Sequence, residues 1–593
     1  MTTTDTTPIT LAEAISRAPS PSPTPTVHGQ SNQHYDEKTS SSETPAALDN
    51  QKVLVESPYP GSGTEQDPFV VGWLPGEKED PYNWSNSYKW FQTALTAINT
   101  LCIAFASSAY SGATRQIYAR FLVSEEVIIL GISLCVLGFG VGPLLWAPLS
   151  EMYGRRPIFL VSYLPFALFH IGGACAQNIE TILVTRFFAG TFGSAPLTNS
   201  GGTIADMWSI HERGTASALF ALAPFLGPVL GPIVGGFTAE SGWRNVFWVM
   251  FGFAMVTYIV SAICVPETYA PTLLRAKARK LQKESNNTIF YISKFDKINT
   301  KTKKEIFKIN MTRPFVLLFK EPIVLCLSMY TAIVYGTLYL FFTAFPIVFQ
   351  TTRGWSSGVG GLAFLGVGLG MLIGTALAPV NNKIYLRATR KSPTGRAPPE
   401  ARLPMAMLGG ALLPSAIFWF AFTSTPSVHW IVPILAGVPF GCGMLLVFSS
   451  IINYLIDCYL MYAASALAAN TVLRSLLGAV FPLFSTYMYQ NLGNAWASAL
   501  VAFLSLACAP MPFLFYRYGA KIRARSKFSP NMPPAPPAPV AATASTSTEN
   551  ASKVAQPDSD SALEPEYAAD AGLEEEKARQ AELAKRKAGD QIV

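Results

Sequence analysis

Between Trp90 and Phe515 the sequence carries twelve apolar segments of about twenty residues each, and this repetition sets the solvent in which the chain folds. At about 1.5 Å of rise per residue, a helix of some twenty residues crosses a hydrocarbon core. The segments run 90–112, 126–149, 157–176, 181–203, 214–237, 245–265, 322–347, 358–380, 404–423, 430–454, 463–488 and 495–516. Half of the 593 residues are apolar and 14% are charged. A single water-soluble core has no use for so much apolar surface, so much of it must face lipid. Lipid offers no partner to a free backbone amide, which leaves an all-α membrane protein as the predicted class.

Loop charge predicts the orientation. With the N-terminus inside, the cytosolic connections hold 22 Lys and Arg, against four outside (Arg115, Arg120, Arg244 and Arg353). Positive charge stays on the cytosolic side, so both termini are expected there. The sequons at Asn83, Asn286, Asn310 and Asn550 then all fall inside, and none is expected to carry glycan. Residues 1–85 are polar and rich in Ser, Thr and Pro, too poor in apolar groups to offset ordering entropy. They read as a disordered cytosolic tail without a secretory leader, so the first span itself directs insertion. The stretch 275–320 has thirteen basic and three acidic residues and separates six spans from six. It reads as a solvated cytosolic linker, with contact to anionic lipid as the alternative. The predicted organisation is tail 1–85, six-helix half 86–274, linker 275–320, six-helix half 321–527 and a second disordered tail 528–593, where Glu575/Arg579 and Glu582/Arg586 fall at helical spacing.

Several function classes are excluded or weakened. The net charge of +7 is dispersed between apolar runs and does not form a basic stripe, so no nucleic-acid partner is expected. Eight single cysteines without metal or C-x-x-C spacing read as small core residues. No H-E-x-x-H, paired catalytic carboxylate or G-x-S-x-G element lies in a span, so no enzyme, metal or cofactor is expected.

Three stretches carry mechanism. Between spans two and three, Leu149-Ser150-Glu151-Met152-Tyr153-Gly154-Arg155-Arg156 places a carboxylate three residues before a glycine and paired arginines. Such a hairpin can be latched by charge-assisted bonds. Arg186 lies inside the otherwise apolar span four, where a guanidinium is costly and must face the bundle interior; an interhelical ion pair is its alternative role. In span five, Gly227, Gly231 and Gly235 line one face, Gly236 follows, and Pro228 and Pro232 permit a bend.

These residues resemble the major facilitator superfamily. The loop matches its Gly-x-Leu-x-Asp-x-x-Gly-Arg-Arg/Lys pattern at Leu149, Gly154, Arg155 and Arg156, with Ala147 and Glu151 as departures. Arg186 looks like the arginine of the family's span-four motif, which the resemblance implies assists proton coupling. Gly227, Gly231, Pro232, Gly235 and Gly236 match the antiporter signature in full, although Ala218 replaces a more distant upstream glycine. Asn83-Trp84-Ser85, Pro266-Glu267-Thr268-Tyr269, Tyr335-Gly336-Thr337-Leu338-Tyr339 and Ala469-Asn470-Thr471-Val472-Leu473-Arg474-Ser475 are similar to the fungal twelve-span drug:proton antiporter branch. The resemblance implies the major facilitator fold, with twelve transmembrane helices in two pseudo-symmetric six-helix halves. It implies export of drugs, toxins, a secondary metabolite or a glycolipid against protons, by a monomer in the plasma membrane.

The remaining candidates follow from charge and rings at membrane depth. Arg474 in span eleven, with Tyr335 and Tyr339 on aromatic span seven, is a candidate cavity lining alongside Arg186. Glu151, Gly154, Arg155, Arg156, Asp206 and Arg213 are candidates for a cytosolic gate, and Asp457 repeats Asp206 about 250 residues later. His170 in span three reads as a packed side chain. Uptake of a nutrient or organic acid, or a receptor signalling through its tails, remain open readings.

Overall fold

The computed structural model describes residues 57–209, 212–298, 302–392, 397–526 and 528. The expected termini at 1–56 and 529–593, with Asn550 and the charged C-terminal stretch, lie outside the described residues.

Every predicted apolar segment falls on helix. Among the described residues, ten helical stretches are long and apolar enough to cross a membrane. The difference from twelve has two sources. Ala463–Arg523 carries the last two predicted segments in one stretch, broken where Gly493 takes φ 73°. Span four, Ile179–Met207, is absent from the ten because Glu180, Arg186, Asn199 and several Ser, Thr and Gly residues dilute its hydropathy.

Lipid tails are as apolar as leucine, so these helices associate through close contact and buried hydrogen bonds. Span two shows the first device: a Cβ on Gly138 would fall 2.5 Å from the amide nitrogen of Thr191 on span four. Span one shows the second. Asn99 donates to Ser261 of span six at 2.8 Å, and Tyr163 of span three pairs with Thr257 of span six at 2.8 Å.

The chain forms two compact units. The first holds residues up to Tyr110, Leu137–Pro228 and Gly242–Thr312; the second holds Ser111–Val136, Val229–Ser241 and the chain from Arg313. They do not coincide with the predicted halves, because Ser111–Val136 and Val229–Ser241 group with the C-terminal helices. Within the first unit span three packs on spans four and six, and span one on the same two. Within the second, span nine (Pro404–Thr423) packs on span ten (Gly437–Cys458) and on the Ala463–Cys508 helix, an echo of the first.

The first unit corrects the expectation of a wholly disordered N-terminal tail. Strand β1, Phe69–Val71, pairs in parallel with β2, Tyr291–Ser293, inside the predicted linker. Phe69 and Val71 alternate inward, as period-two strands do. They join Tyr59, Leu274 and Ala278 in a small core beneath the helix Ala270–Glu284. Lys277 of that helix bridges to Glu77 and lies 5.4 Å and 5.5 Å from the ring centres of Tyr59 and Trp73. Apolar groups too sparse to fold alone thus find a partner surface far along the chain.

Candidate functional site

At the end of the first unit that bears the paired arginines, the hairpin between spans two and three turns on Gly154, whose φ of 102° a side chain would resist. Any Cβ there would also run into the Glu267 carboxylate. Glu267 accepts from the amides of Arg155 (3.0 Å), Arg156 (3.1 Å), Thr268 (3.0 Å) and Tyr269 (2.8 Å). It therefore caps the first turn of span three, Arg155–Ala174, where free amides and the positive helix end favour an anion. Arg155 reaches Asp206 at 3.5 Å and Ser150 at 2.9 Å, and its guanidinium lies 4.9 Å from the Tyr269 ring centre.

The structure thus brings Gly154, Arg155, Arg156 and Asp206 together, with Glu267 and Ser150 added. Glu267 lies in a stretch the sequence marks only by resemblance; a carboxylate just past a span is its available signal. Glu151, expected at the gate, accepts from Asn310 of the linker at 3.0 Å. Arg213 opens the span-five helix, and its side chain lies outside the described residues. Asp206 sits three residues past the predicted end of span four. Burial lifts its carboxyl from 3.8 to about 6, outweighing the nearby Arg155 and the Thr268 hydroxyl. A cavity of about 30 Å³, room for a water or two, lies between the polar Asn99, Arg155 and Asn199 and the apolar Phe159, Pro196 and Val265.

Deeper in the same unit Arg186 is 1% exposed. It donates to the carbonyls of Ala106 (2.7 Å) and Ser107 (2.6 Å), and its guanidinium lies 5.0 Å from the Tyr110 ring centre. The α-helix Asn86–Ala109 passes there into a 3-10 turn, Tyr110–Ala113, so these carbonyls lie at a change in the helical bonding of span one. Arg186 braces that change, where the carbonyl end of the α-helix is negative. His170 lies buried against Phe166 at 4.9 Å between ring centres.

The second unit unites the other three cavity candidates. The Arg474 guanidinium lies 5.2 Å from the Tyr335 ring centre and 5.9 Å from that of Phe448. Tyr335 donates to the Tyr339 hydroxyl at 3.4 Å. Gly478 brings span eleven onto span seven; its Cβ would fall 2.9 Å from the Tyr335 ring. At the arginine-bearing end of this unit Arg402 meets Asp457 at 2.9 Å, repeating the Arg155–Asp206 pair.

The span-five motif divides between the units. In the first, Gly227 lets span one approach; a Cβ would fall 2.6 Å from that of Ala104. In the second, Gly231, Pro232, Gly235 and Gly236 lie buried. Gly235 abuts Gly112, and Gly236 abuts the carbonyl of Ser357. Gly361 lies against the Pro232 carbonyl, and Gly368 against Val229. Backbone meets backbone along this seam, which only glycines allow.

A model of the Major Facilitator Superfamily matches residues 96–482. The MFS-type efflux pump MFS2 of Trichophyton rubrum is 54% identical over 478 residues, 80% of each chain. The multidrug transporter mdrA of Aspergillus fumigatus is 53% identical, over 80% of this chain and 78% of its own. The Citrinin biosynthesis cluster MFS transporter mrr1 of Monascus ruber is 42% identical, over 79% and 94%. Among solved structures, the partially occluded inward-open xylose transporter XylE from E. coli superposes with TM-score 0.53 at 18% identity, covering 73% of this chain and 98% of that one. At that identity the likeness is one of fold.

Proposed function

Because the chain belongs to the major facilitator superfamily and is a multi-pass membrane protein, we propose that it exports small amphiphilic organic compounds in exchange for protons. Two helix bundles alternate access to a midplane cavity, with both termini cytosolic and the plasma membrane as the site of action. Fungal relatives named as efflux pumps and multidrug transporters support the direction and the substrate range.

The observation that carries the reading is the glycine seam of span five. Gly235, Gly236 and Gly361 hold the seam within the second unit by backbone contact, an interface that can part and re-form without repacking large side chains. Within the first unit Arg155, Asp206 and Glu267 form a polar latch. Burial raises the Asp206 carboxyl, which supports a proton gained and lost as that latch works, and Arg186 holds positive charge against span one.

Inverted membrane vesicles test this. With the lumen made acidic, uptake of amphiphilic probes is expected to rise several-fold over vesicles without a pH gradient. In the Arg186→Lys variant, which keeps the charge and loses the fork, the gradient is expected to drive less uptake. Uptake indifferent to the gradient in the native protein would overturn proton exchange.

A further inference from the structure

The two membrane arginines differ in one respect. Arg186 spends its N–H groups on two carbonyls of span one. Arg474 donates no hydrogen bond and pairs with no carboxylate among the described residues, and its Nε is buried without a partner. Its contacts are the faces of Tyr335 and Phe448. Nearby polar groups are matched to one another: the Asn470 amide donates to Thr331 at 2.7 Å and Ser328 at 3.3 Å.

Arg474 also stands at membrane depth. It lies eleven residues into its helix, about 16 Å along the axis and close to the bilayer midplane. It shares a face with Gly478, which meets Tyr335, while the lipid-exposed Leu476 and Val480 lie on the other side of the helix. Its side chain is part-exposed, so the guanidinium is reachable from within the bundle. A cation held at such depth with unspent N–H donors calls for an anion, and the planar fork fits a carboxylate at two points. The Tyr335, Tyr339 and Phe448 rings beside it are buried, at most 7% exposed, so the guanidinium emerges from an apolar aromatic wall that suits an amphiphile.

We propose that Arg474 is the carboxylate-recognition residue of the substrate site, and that the preferred cargo is an aromatic or similarly flat amphiphile bearing a carboxylate. This rests on the export reading and narrows it.

The test uses the full chain in phosphatidylcholine nanodiscs, where no lipid carboxylate competes. Matched pairs of aromatic carboxylic acids and their methyl esters are titrated, with binding read from tryptophan fluorescence. The same pairs are followed in inverted vesicles. The acids are expected to bind about tenfold or more tighter than their esters above the acid's own pKa, and to lose that advantage below it. Arg474→Gln is expected to abolish the preference, and Arg474→Lys to retain part of it. The native pH dependence is decisive even if the glutamine variant fails to fold. Equal binding of acid and ester, or a preference that survives in Arg474→Gln, overturns the carboxylate assignment, while pH-driven transport of the esters would leave export standing. Failure of every pair to bind or to be transported overturns both.

Discussion

Adding one methyl group to the span-five seam should open it. In Gly361→Ala the new Cβ would lie 2.5 Å from the Pro232 carbonyl oxygen and 2.9 Å from the Ile233 Cα. Both are backbone atoms, so no side chain can rotate away, and the helices must separate. Overpacking of this kind costs about 1–3 kcal/mol. Alanine also favours helix over glycine by about 0.8–1.0 kcal/mol, but the helix persists whether the seam is open or closed, so this gain does not cancel the penalty. The closed-to-open ratio should therefore fall about 5- to 150-fold. Cys135, 2% exposed and in the same unit, is a native reporter. Its modification by a maleimide, read by peptide mass spectrometry, should accelerate by that factor. Gly236→Ala, which meets the Ser357 carbonyl, should do the same. Gly252→Ala, with nothing within 4 Å of the added carbon, should leave the rate unchanged. An unaltered Cys135 rate in both seam variants, or an equal rise in Gly252→Ala, would refute the reasoning.

The polar latch predicts a pH dependence. The folded pKa of Asp206, about 6, lies above the ordinary 3.8, so its contribution to stability is full below 3.8 and is lost as pH rises through 6. The gap amounts to on the order of 2–3 kcal/mol, and Asp206→Asn should gain on the native protein in melting temperature between pH 4 and 7; a constant difference across that range would exclude the assignment. Glu267→Gln halves the acceptors at the start of span three and should cost about 1–2 kcal/mol in detergent unfolding. Gly154→Ala should cost at least as much, since positive φ and the Glu267 carboxylate both oppose it. Lys277→Ala should release the β1 segment from the linker helix, seen as faster trypsin cleavage between Arg275 and Lys283; an unchanged digestion pattern would show that the strand pair holds without it.

What could be read in advance follows the physics of each feature. The helices were legible because lipid demands continuous apolar length, a one-dimensional property. The repeat was legible in outline: Asp206 and Asp457 at matching turns each meet an arginine, Arg155 and Arg402, although only the first arginine stood out in sequence. The tail–linker strand pair was not legible, since three residues are too few for periodicity and the partner lies more than two hundred residues away. The Glu151–Asn310 contact was not legible, since the spacing within the hairpin says nothing of an amide 159 residues away.

The two buried arginines mark where sequence reasoning runs out. Both appear as one costly cation in an apolar helix, and both imply a partner. Arg186 finds its partner in backbone carbonyls, which every residue carries and which it meets where the first α-helix of span one stops at Ala109 and a 3-10 turn takes over. No residue pattern encodes that meeting. Arg474 has no such helix end before it; span seven passes it unbroken from Pro322 to Phe345 and offers rings. The difference between a structural brace and an unspent donor is therefore set by where a neighbouring helix stops, and that separates the arginine that holds the fold from the one left for cargo.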